Sequence, residues 1–433
     1  MMKKTYRMIR GILSYSIIVT AILTWFIFTT VYTKIKQQPL FSTLPTVSSN
    51  IFLMIALSVF IINIISWCYR NKIWHGLSFS LNHYNMILNI RKQIKQARFE
   101  TINNFESKYV HIPKIIVQFD DNGKRETGFI KIRNSIKFDK QLEQVRLDGA
   151  LKRYIIERRF LSQDRNWYIF EFYRMDLFTQ ENFHSKSDYV EWLSKETDAY
   201  HLRLDNRSTI PLHHIGLSGQ TGSGKTFFLE MLCIQILNKK IEHTLYIIDP
   251  KKADLFHIFR ETRATVVDRN KSLDTISLFH SKMLERQTAL QSFFLNNHNK
   301  TYKDANLPAI ILLVDEFGSL RESWKLLSKK ERDEIESKLA DIAFIGRQLG
   351  CFLWISTQQL NAQTLPTSIR EQLVIKIVLG SSDEQTYRTL FSSSVEIPLL
   401  DLKAGQGLIS CPSIATVDHP KMVNIPYCNF LDT

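Results

Sequence analysis

Acidic residues are almost missing from the first hundred positions, where Glu100 stands alone against twelve lysines and arginines. The other 333 residues balance 44 basic against 41 acidic side chains, so the formal charge of +14 belongs to one end of the chain. A basic patch on a domain is an electrostatic footprint for nucleic acid; a basic end on a near-neutral remainder is not. Cysteine is sparse too. Cys68, Cys233, Cys351, Cys411 and Cys428 lie far apart and form no CxxC pair. That excludes a disulfide framework and a clustered zinc site, and it fits a reducing cytosolic environment. Charge of either sign is absent between Arg10 and Lys34, and again from Gln37 to Tyr69.

Those uncharged stretches hold two apolar runs, Ile12–Tyr32 and Ile51–Tyr69. Each has about the 20 residues that a helix needs to cross ~30 Å of hydrocarbon. The first is too long for the apolar part of a signal peptide, and no clear small-x-small cleavage site follows it. Residues 1–72 are therefore expected to form a two-helix transmembrane hairpin. Lys3, Lys4, Arg7 and Arg10 precede the first run and Arg70, Lys72, Arg91 and Lys92 follow the second, whereas the loop between holds only Lys34 and Lys36. Positive residues stay inside, so both termini are expected in the cytoplasm, with the protein in the cell membrane.

Residues 73–107 read as a juxtamembrane helix and linker. The helix is expected over Ser80–Ala97, with Arg91, Lys92, Lys95 and Arg98 sharing one side, either against anionic headgroups or as a solvated connector. Residues 108–195 read as a small α+β domain. Tyr109–Phe119 and Thr127–Ile132 flank a DDNG turn at Asp120–Gly123, Ile136–Ala150 suits a helix, and Tyr154–Phe160 with Trp167–Tyr173 makes a hairpin.

From residue 196 to 433 the apolar runs recur in an α/β rhythm: Tyr200–Leu204, Leu212–Leu217, Thr244–Ile248, Ala309–Val314, Phe352–Ile355 and Leu373–Leu379. Near-continuous apolar strands separated by helices such as Leu273–Leu295 indicate a parallel sheet covered on both faces. After the second run comes GQTGSGKT: Gly219, Gln220, Thr221, Gly222, Ser223, Gly224, Lys225 and Thr226. The strand, glycine-rich loop and helix context is the one in which GxxxxGK[ST] means a phosphate cradle for ATP. Backbone N–H groups turn inward at the glycines and a helix N-terminus adds partial positive charge. Lys225 is placed to reach the β- and γ-phosphates and the Thr226 hydroxyl to ligate Mg²⁺. The fourth run ends in Asp315-Glu316. Asp315, at the carboxyl edge of a buried strand, suits Mg²⁺; Glu316 suits a general base that orients the attacking water. In ISTQQ, Gln358 is positioned to sense the γ-phosphate from a neighbouring strand tip.

Taken in order, HHIGLSGQTGSGKT, LYIIDPKKADL, LLVDEFGSL, GRQLGCFLWISTQQ and the stretch from SIREQLVIKIVLG through KAGQGLIS resemble the FtsK/SpoIIIE family of membrane-tethered ATP-driven translocases over about residues 200–415. With two membrane helices, one motor and an early stop, the chain is most similar to the coupling proteins of Gram-positive conjugative elements. The resemblance implies a RecA-like P-loop motor, a homo-hexameric ring and DNA gripped through its backbone without sequence reading, with relaxase and transfer-channel proteins as partners. Asp249-Pro250-Lys251 matches the family's IDPK element. Arg347 matches the arginine of the family's RxxGI segment and Arg370 falls in the stretch following the sensor; both are candidates for the arginine that such a ring is expected to place at a neighbouring subunit's ATP site. Lys252-Ala253 replaces the usual GG, and Gln359-Leu360 the usual arginine and proline after TQ. No counterpart of the C-terminal winged-helix domain of chromosome-segregating members is expected, which makes sequence-directed translocation a less expected role. Type VII-like protein export and chromosome partitioning are the alternative roles within the same family.

Overall fold

A computed structural model describes Trp25–Phe26 and residues 44–431, apart from 97–99, 102–108, 111, 121–124, 136–141, 143–144, 196–197, 359–363, 396 and 398–400. Most of the first apolar run, most of the DDNG turn, part of the expected helix Ile136–Ala150 and the Gln359–Leu360 replacement lie outside the described residues. The described chain falls into two compact units, Met1–Lys152 and Arg153–Thr433.

In the first unit, helix α1 spans Leu44–Arg70 and helix α2 Leu77–Gln96. Helix α2 begins three residues before the expected Ser80. Strands β1 (Ile115–Phe119) and β2 (Thr127–Arg133) pair antiparallel. Along α2 the side chains of Phe79, His83, Met86, Ile90 and Ile94 are buried, the spacing of one helical face against a core. Phe79 meets the Phe119 ring edge-on at 5.4 Å between centroids. The His83 ring bridges the Asn71 side chain (3.3 Å) and the Val117 carbonyl (3.1 Å), and burial lowers its pKa. The two-helix membrane hairpin is not supported: among the described residues no helix is long and apolar enough to cross a membrane.

The second unit opens with an antiparallel hairpin, β3 (Tyr154–Leu161) and β4 (Trp167–Arg174), then helix α3 (Lys186–Ser194). Its body is one sheet with helices between the strands. In chain order these are β5 (Ile215–Gly219), α4 (Lys225–Leu237), β6 (Thr244–Ile248), α5 (Asp254–Phe259), β7 (Thr265–Val267) and α6 (Ser272–Asn296). Then follow β8 (Ile310–Val314), α7 (Phe317–Ser323), α8 (Lys329–Leu349), β9 (Cys351–Thr357), α9 (Thr367–Gln372), β10 (Ile375–Leu379), α10 (Glu384–Leu390), β11 (Gln406–Ser410) and β12 (Lys421–Asn424). The spatial order is β7-β6-β8-β9-β5-β10-β11-β12. The first six strands are parallel and the last two antiparallel.

Strand alternation builds both faces. Leu245 and Ile247 of β6, Ile311 and Leu313 of β8, and Ile215 and Leu217 of β5 join α4 in one buried cluster. Tyr246, Ile248, Leu312 and Val314 point the other way and meet α6 and α8 in a second. Two expectations need correction. The sheet is mixed, because β11 and β12 return as a hairpin along its β10 edge. The run Tyr200–Leu204 is outside the sheet: His201–Arg203 pairs only with Thr209–Pro211, across the polar turn Asp205–Ser208. The β3–β4 hairpin is held to β12 by Arg207, which donates from Nη2 to Glu157 (3.1 Å) and to the Met422 carbonyl (3.0 Å) while its guanidinium lies 4.1 Å over the Tyr173 ring.

Candidate functional site

Parallel strands deliver their carboxyl ends to one edge of a sheet, and the residues that follow β5, β6, β8 and β9 converge there. The phosphate-loop strand β5 is separated from β8 by β9, so the tip of β9 lies between them. Gly219 ends β5 where a Cβ would come within 2.6 Å of the Leu379 carbonyl oxygen. Gly222 and Gly224 take φ of +81° and +93°, which only glycine adopts without strain. Helix α4 then starts at Lys225, and its first backbone amides face the loop.

The loop is braced from several sides. The Ser218 hydroxyl donates to the Gln358 carbonyl at 3.1 Å, and the Gln358 amide approaches the Thr221 hydroxyl at 3.4 Å. The Ser223 carbonyl accepts from the Gly405 amide at 3.0 Å, and the Gly380 amide donates to Gln406 at 2.7 Å. Gly405 itself has φ +78°. Gly380 and Gly405 were not singled out as site residues from the sequence. The KAGQG stretch was visible, but not that it lies against a loop 180 residues upstream. Ser223 is buried, and its hydroxyl has no hydrogen-bond partner among the described residues.

Lys225 is 7 % exposed and donates from Nζ to the Gly219 carbonyl at 2.7 Å and the Gln220 carbonyl at 3.3 Å. Burial lowers its pKa, against the opposing pull of Glu316 and Asp315. Asp315 is 6 % exposed, its amide held by the Ile248 carbonyl at 3.0 Å. Burial raises its carboxyl to about 6; the Ser356 hydroxyl pulls it down, and the charges of Glu316 and Asp249 add to the rise. Glu316 sits at φ 46°, ψ 48°, a left-handed conformation that costs a non-glycine residue of order 1 kcal/mol and clusters at working sites. Its carboxylate lies 3.5 Å from Lys251. Lys251 is placed by Asp249, whose carboxylate accepts from the amides of Lys251 (3.1 Å), Ala253 (2.8 Å) and Phe256 (3.2 Å). In this structure, then, the IDPK aspartate fixes a turn and the lysine meets Glu316.

The loop Gly219–Thr226, Asp315, Glu316 and Gln358 therefore come together at one edge. Arg347 and Arg370 do not. Arg347 ends α8 just before β9, and Arg370 lies in α9 just before β10, so both lie at the amino edge of the parallel strands. Arg370 reaches Thr367 at 3.5 Å through Nη2, and its buried Nη1 has no hydrogen-bond partner among the described residues. The donor set suits a magnesium nucleotide. A cradle of glycine amides and an orphaned serine hydroxyl fit a polyphosphate, and the Thr226 hydroxyl with the Asp315 carboxylate offers the hard oxygen donors that Mg²⁺ takes.

No family model matches the chain. It is 26% identical over 204 residues to the Ftsk domain-containing protein YdcQ of Bacillus subtilis, covering 45% of this chain and 40% of that protein. It is 23% identical over 308 residues to the DNA translocase FtsK of Caldanaerobacter subterraneus, covering 67% of this chain and 42% of that one. The chain thus spans about two fifths of the length of these curated relatives. The solved structure of the pCW3 conjugation coupling protein TcpA, with ATPgS, matches at TM-score 0.47 and 17% identity, covering 79% of this chain and 95% of that one.

Proposed function

We propose that this chain, which resembles FtsK/SpoIIIE-family proteins in sequence, is a membrane-anchored ATPase that translocates DNA and serves as the coupling ATPase of a conjugative transfer channel. The observation that carries the reading is the convergence of the phosphate loop, Asp315-Glu316 and Gln358 on one sheet edge, in a chain 23% identical over 308 residues to a DNA translocase.

The chemistry follows from what those residues can do. Loop amides and the α4 terminus hold phosphate oxygens, and the Lys225 ammonium neutralises charge that builds on the β- and γ-phosphates. Thr226 and Asp315 would hold Mg²⁺, which would supply neutralisation of phosphate charge. Glu316 accepts the proton of the attacking water; general-base catalysis of this kind contributes about 10²–10⁴-fold. Gln358, joined to the loop through Thr221, reports whether the γ-phosphate is present. DNA is gripped through its backbone, without base readout. A homo-hexameric ring, with Arg347 or Arg370 reaching the next subunit, and relaxase and channel partners complete the proposal. The apolar residues of α1, with Leu57, Phe60, Ile62 and Ile65 exposed, support the membrane end.

ATP turnover by the full chain, measured with and without DNA across a salt series, tests the reading. Expected are turnover stimulated by DNA, stimulation that weakens with salt, and a Glu316→Gln form that binds nucleotide with turnover down at least 100-fold. Turnover indifferent to every nucleic acid, or undiminished in Glu316→Gln, would refute it.

A further inference from the structure

We propose that the outward face of α2 is a binding surface for an anionic lipid bilayer, on which the helix lies flat beside the foot of α1. The proposal rests on the membrane-anchored reading for its location and adds a second, peripheral contact.

Helix α2 carries two apolar stripes. One, from Phe79 to Ile94, is buried in the first unit. The other is bare: Leu77, Leu81, Tyr84 and Leu88 are 62 %, 45 %, 37 % and 38 % exposed. Their spacing of four, three and four residues keeps them on one side of the helix. Arg91 and Lys95, both exposed, continue the same spacing for the last turn and a half. The aromatic residues at the α1–α2 junction lead into this stripe. Trp67 near the end of α1 meets Tyr84 at 5.8 Å between ring centroids, and Tyr69 meets Trp74 at 5.9 Å. Tyr69 and Trp74 are 75 % and 60 % exposed, an arrangement suited to the headgroup level of a bilayer. The bare stripe is therefore continuous with the exposed apolar part of α1.

Charge selects the occupant. No acid precedes Glu100, while Arg70 and Lys72 lie at the α1–α2 junction and Arg91, Lys92 and Lys95 in the last turns of α2. A second copy packed in parallel on this stripe would set Arg91 and Lys95 against their own equivalents, with no carboxylate on the helix to offset them. A nucleic acid would meet leucines where it needs cations. An interface with apolar depth and negative headgroups satisfies both halves of the stripe.

The test uses the full chain in a Cys68→Ser background, since the other four cysteines are buried. Leu81→Cys, Leu88→Cys and, as an off-stripe control, Asn82→Cys carry an environment-sensitive fluorophore. Each is mixed with vesicles of phosphatidylcholine alone or of phosphatidylcholine with phosphatidylglycerol, containing a lipid-borne quencher. The expected result is strong quenching at positions 81 and 88 with phosphatidylglycerol, little at 82, and loss of the phosphatidylglycerol-dependent part in Arg91→Glu/Lys95→Glu. Each of those charges is worth about fivefold in surface affinity. Co-flotation with both vesicle types while position 81 stays water-exposed would leave the anchor standing and overturn this contact. Equal quenching in both lipids would overturn the anionic preference. Failure to float at all would remove both readings, and cross-linking of Leu81→Cys between copies would assign the stripe to self-association.

Discussion

Replacing Asp315 by Asn separates the proposed cation site from the fold. The wild-type carboxyl is 6 % exposed and has its pKa raised from 3.8 to about 6, chiefly by burial. That rise of about two units is worth about 3 kcal/mol at 1.36 kcal/mol per unit. The folded protein holds this proton more tightly than the unfolded chain does, so the contribution to stability is fully present below the unfolded pKa and is lost as the pH rises through about 6. An amide has nothing to ionise. Without divalent cations, Asp315→Asn should therefore match wild type near pH 4 and exceed it by about 3 kcal/mol above pH ~7, a gain of about 6–12 °C in the melting temperature of the second unit. Adding Mg²⁺ with ADP should reverse the ranking. A ligand at a thousand times its Kd stabilises by about 4.1 kcal/mol, more than the ~3 kcal/mol gap, and the carboxylate form is the one that holds the ion. Differential scanning fluorimetry of the full chain at several pH values, with chelator or with Mg·ADP, reads both effects. A variant that melts below wild type in chelator at neutral pH, or that gains equally from Mg·ADP, would show that Asp315 is a structural group and not a cation ligand.

Two further substitutions bear on the same edge. Lys251→Ala should leave stability within about 1 kcal/mol, because the pair with Glu316 is part-exposed, at 49 % and 19 %. It should still lower kcat several-fold at unchanged KM, because Glu316 loses the cation that orients it; a kcat equal to wild type would contradict this. Gly405→Val places a branched side chain at φ +78°, where a Cβ already comes within 2.6 Å of the Gln180 amide nitrogen. The strain of about 1–2 kcal/mol falls on the segment that braces Ser223, so fluorescent-ADP affinity should drop by about tenfold, with a smaller loss at Gly405→Ala. Unchanged affinity in the valine form would show that the brace is dispensable.

Which parts were legible follows from how local each signal is. The phosphate loop was readable because its requirement is a run of consecutive backbone conformations, and a glycine spacing records that directly. The six parallel strands were largely readable because a strand covered on both faces has no polar side to interrupt it, as in Ala309–Val314. The run Tyr200–Leu204 misled for the same reason: it is apolar because Leu202 and Leu204 are buried, yet its partner is the short strand across the Asp205–Ser208 turn and not the main sheet. The short strand Thr265–Val267 and the antiparallel return of β11 and β12 left too little periodicity to recognise. The approach of Lys251 to Glu316 was out of reach, because it joins two loops 65 residues apart whose meeting depends on β6 and β8 being neighbours.

The same non-local contacts suggest how nucleotide chemistry reaches the rest of the unit. Ser223 is joined to Gly405, and Gly405 accepts at its carbonyl from the Ile425 amide at 2.7 Å, just beyond β12. Strand β12 is in turn joined through the Met422 carbonyl to Arg207 and so to Glu157 of the β3–β4 hairpin. Glu157 is almost fully buried, and removing one member of such a pair is costly, typically 3–5 kcal/mol, so this end of the path is stiff. The other end is a glycine loop whose carbonyls already occupy the Lys225 ammonium at 2.7 and 3.3 Å. On the proposed function, phosphates in the cradle would compete with those carbonyls for the same ammonium, so the loop, and not the hairpin contact, is the part expected to move. A path that is compliant at the nucleotide and rigid at the hairpin carries displacement outward instead of absorbing it, which is the mechanical property an ATP-driven motor needs.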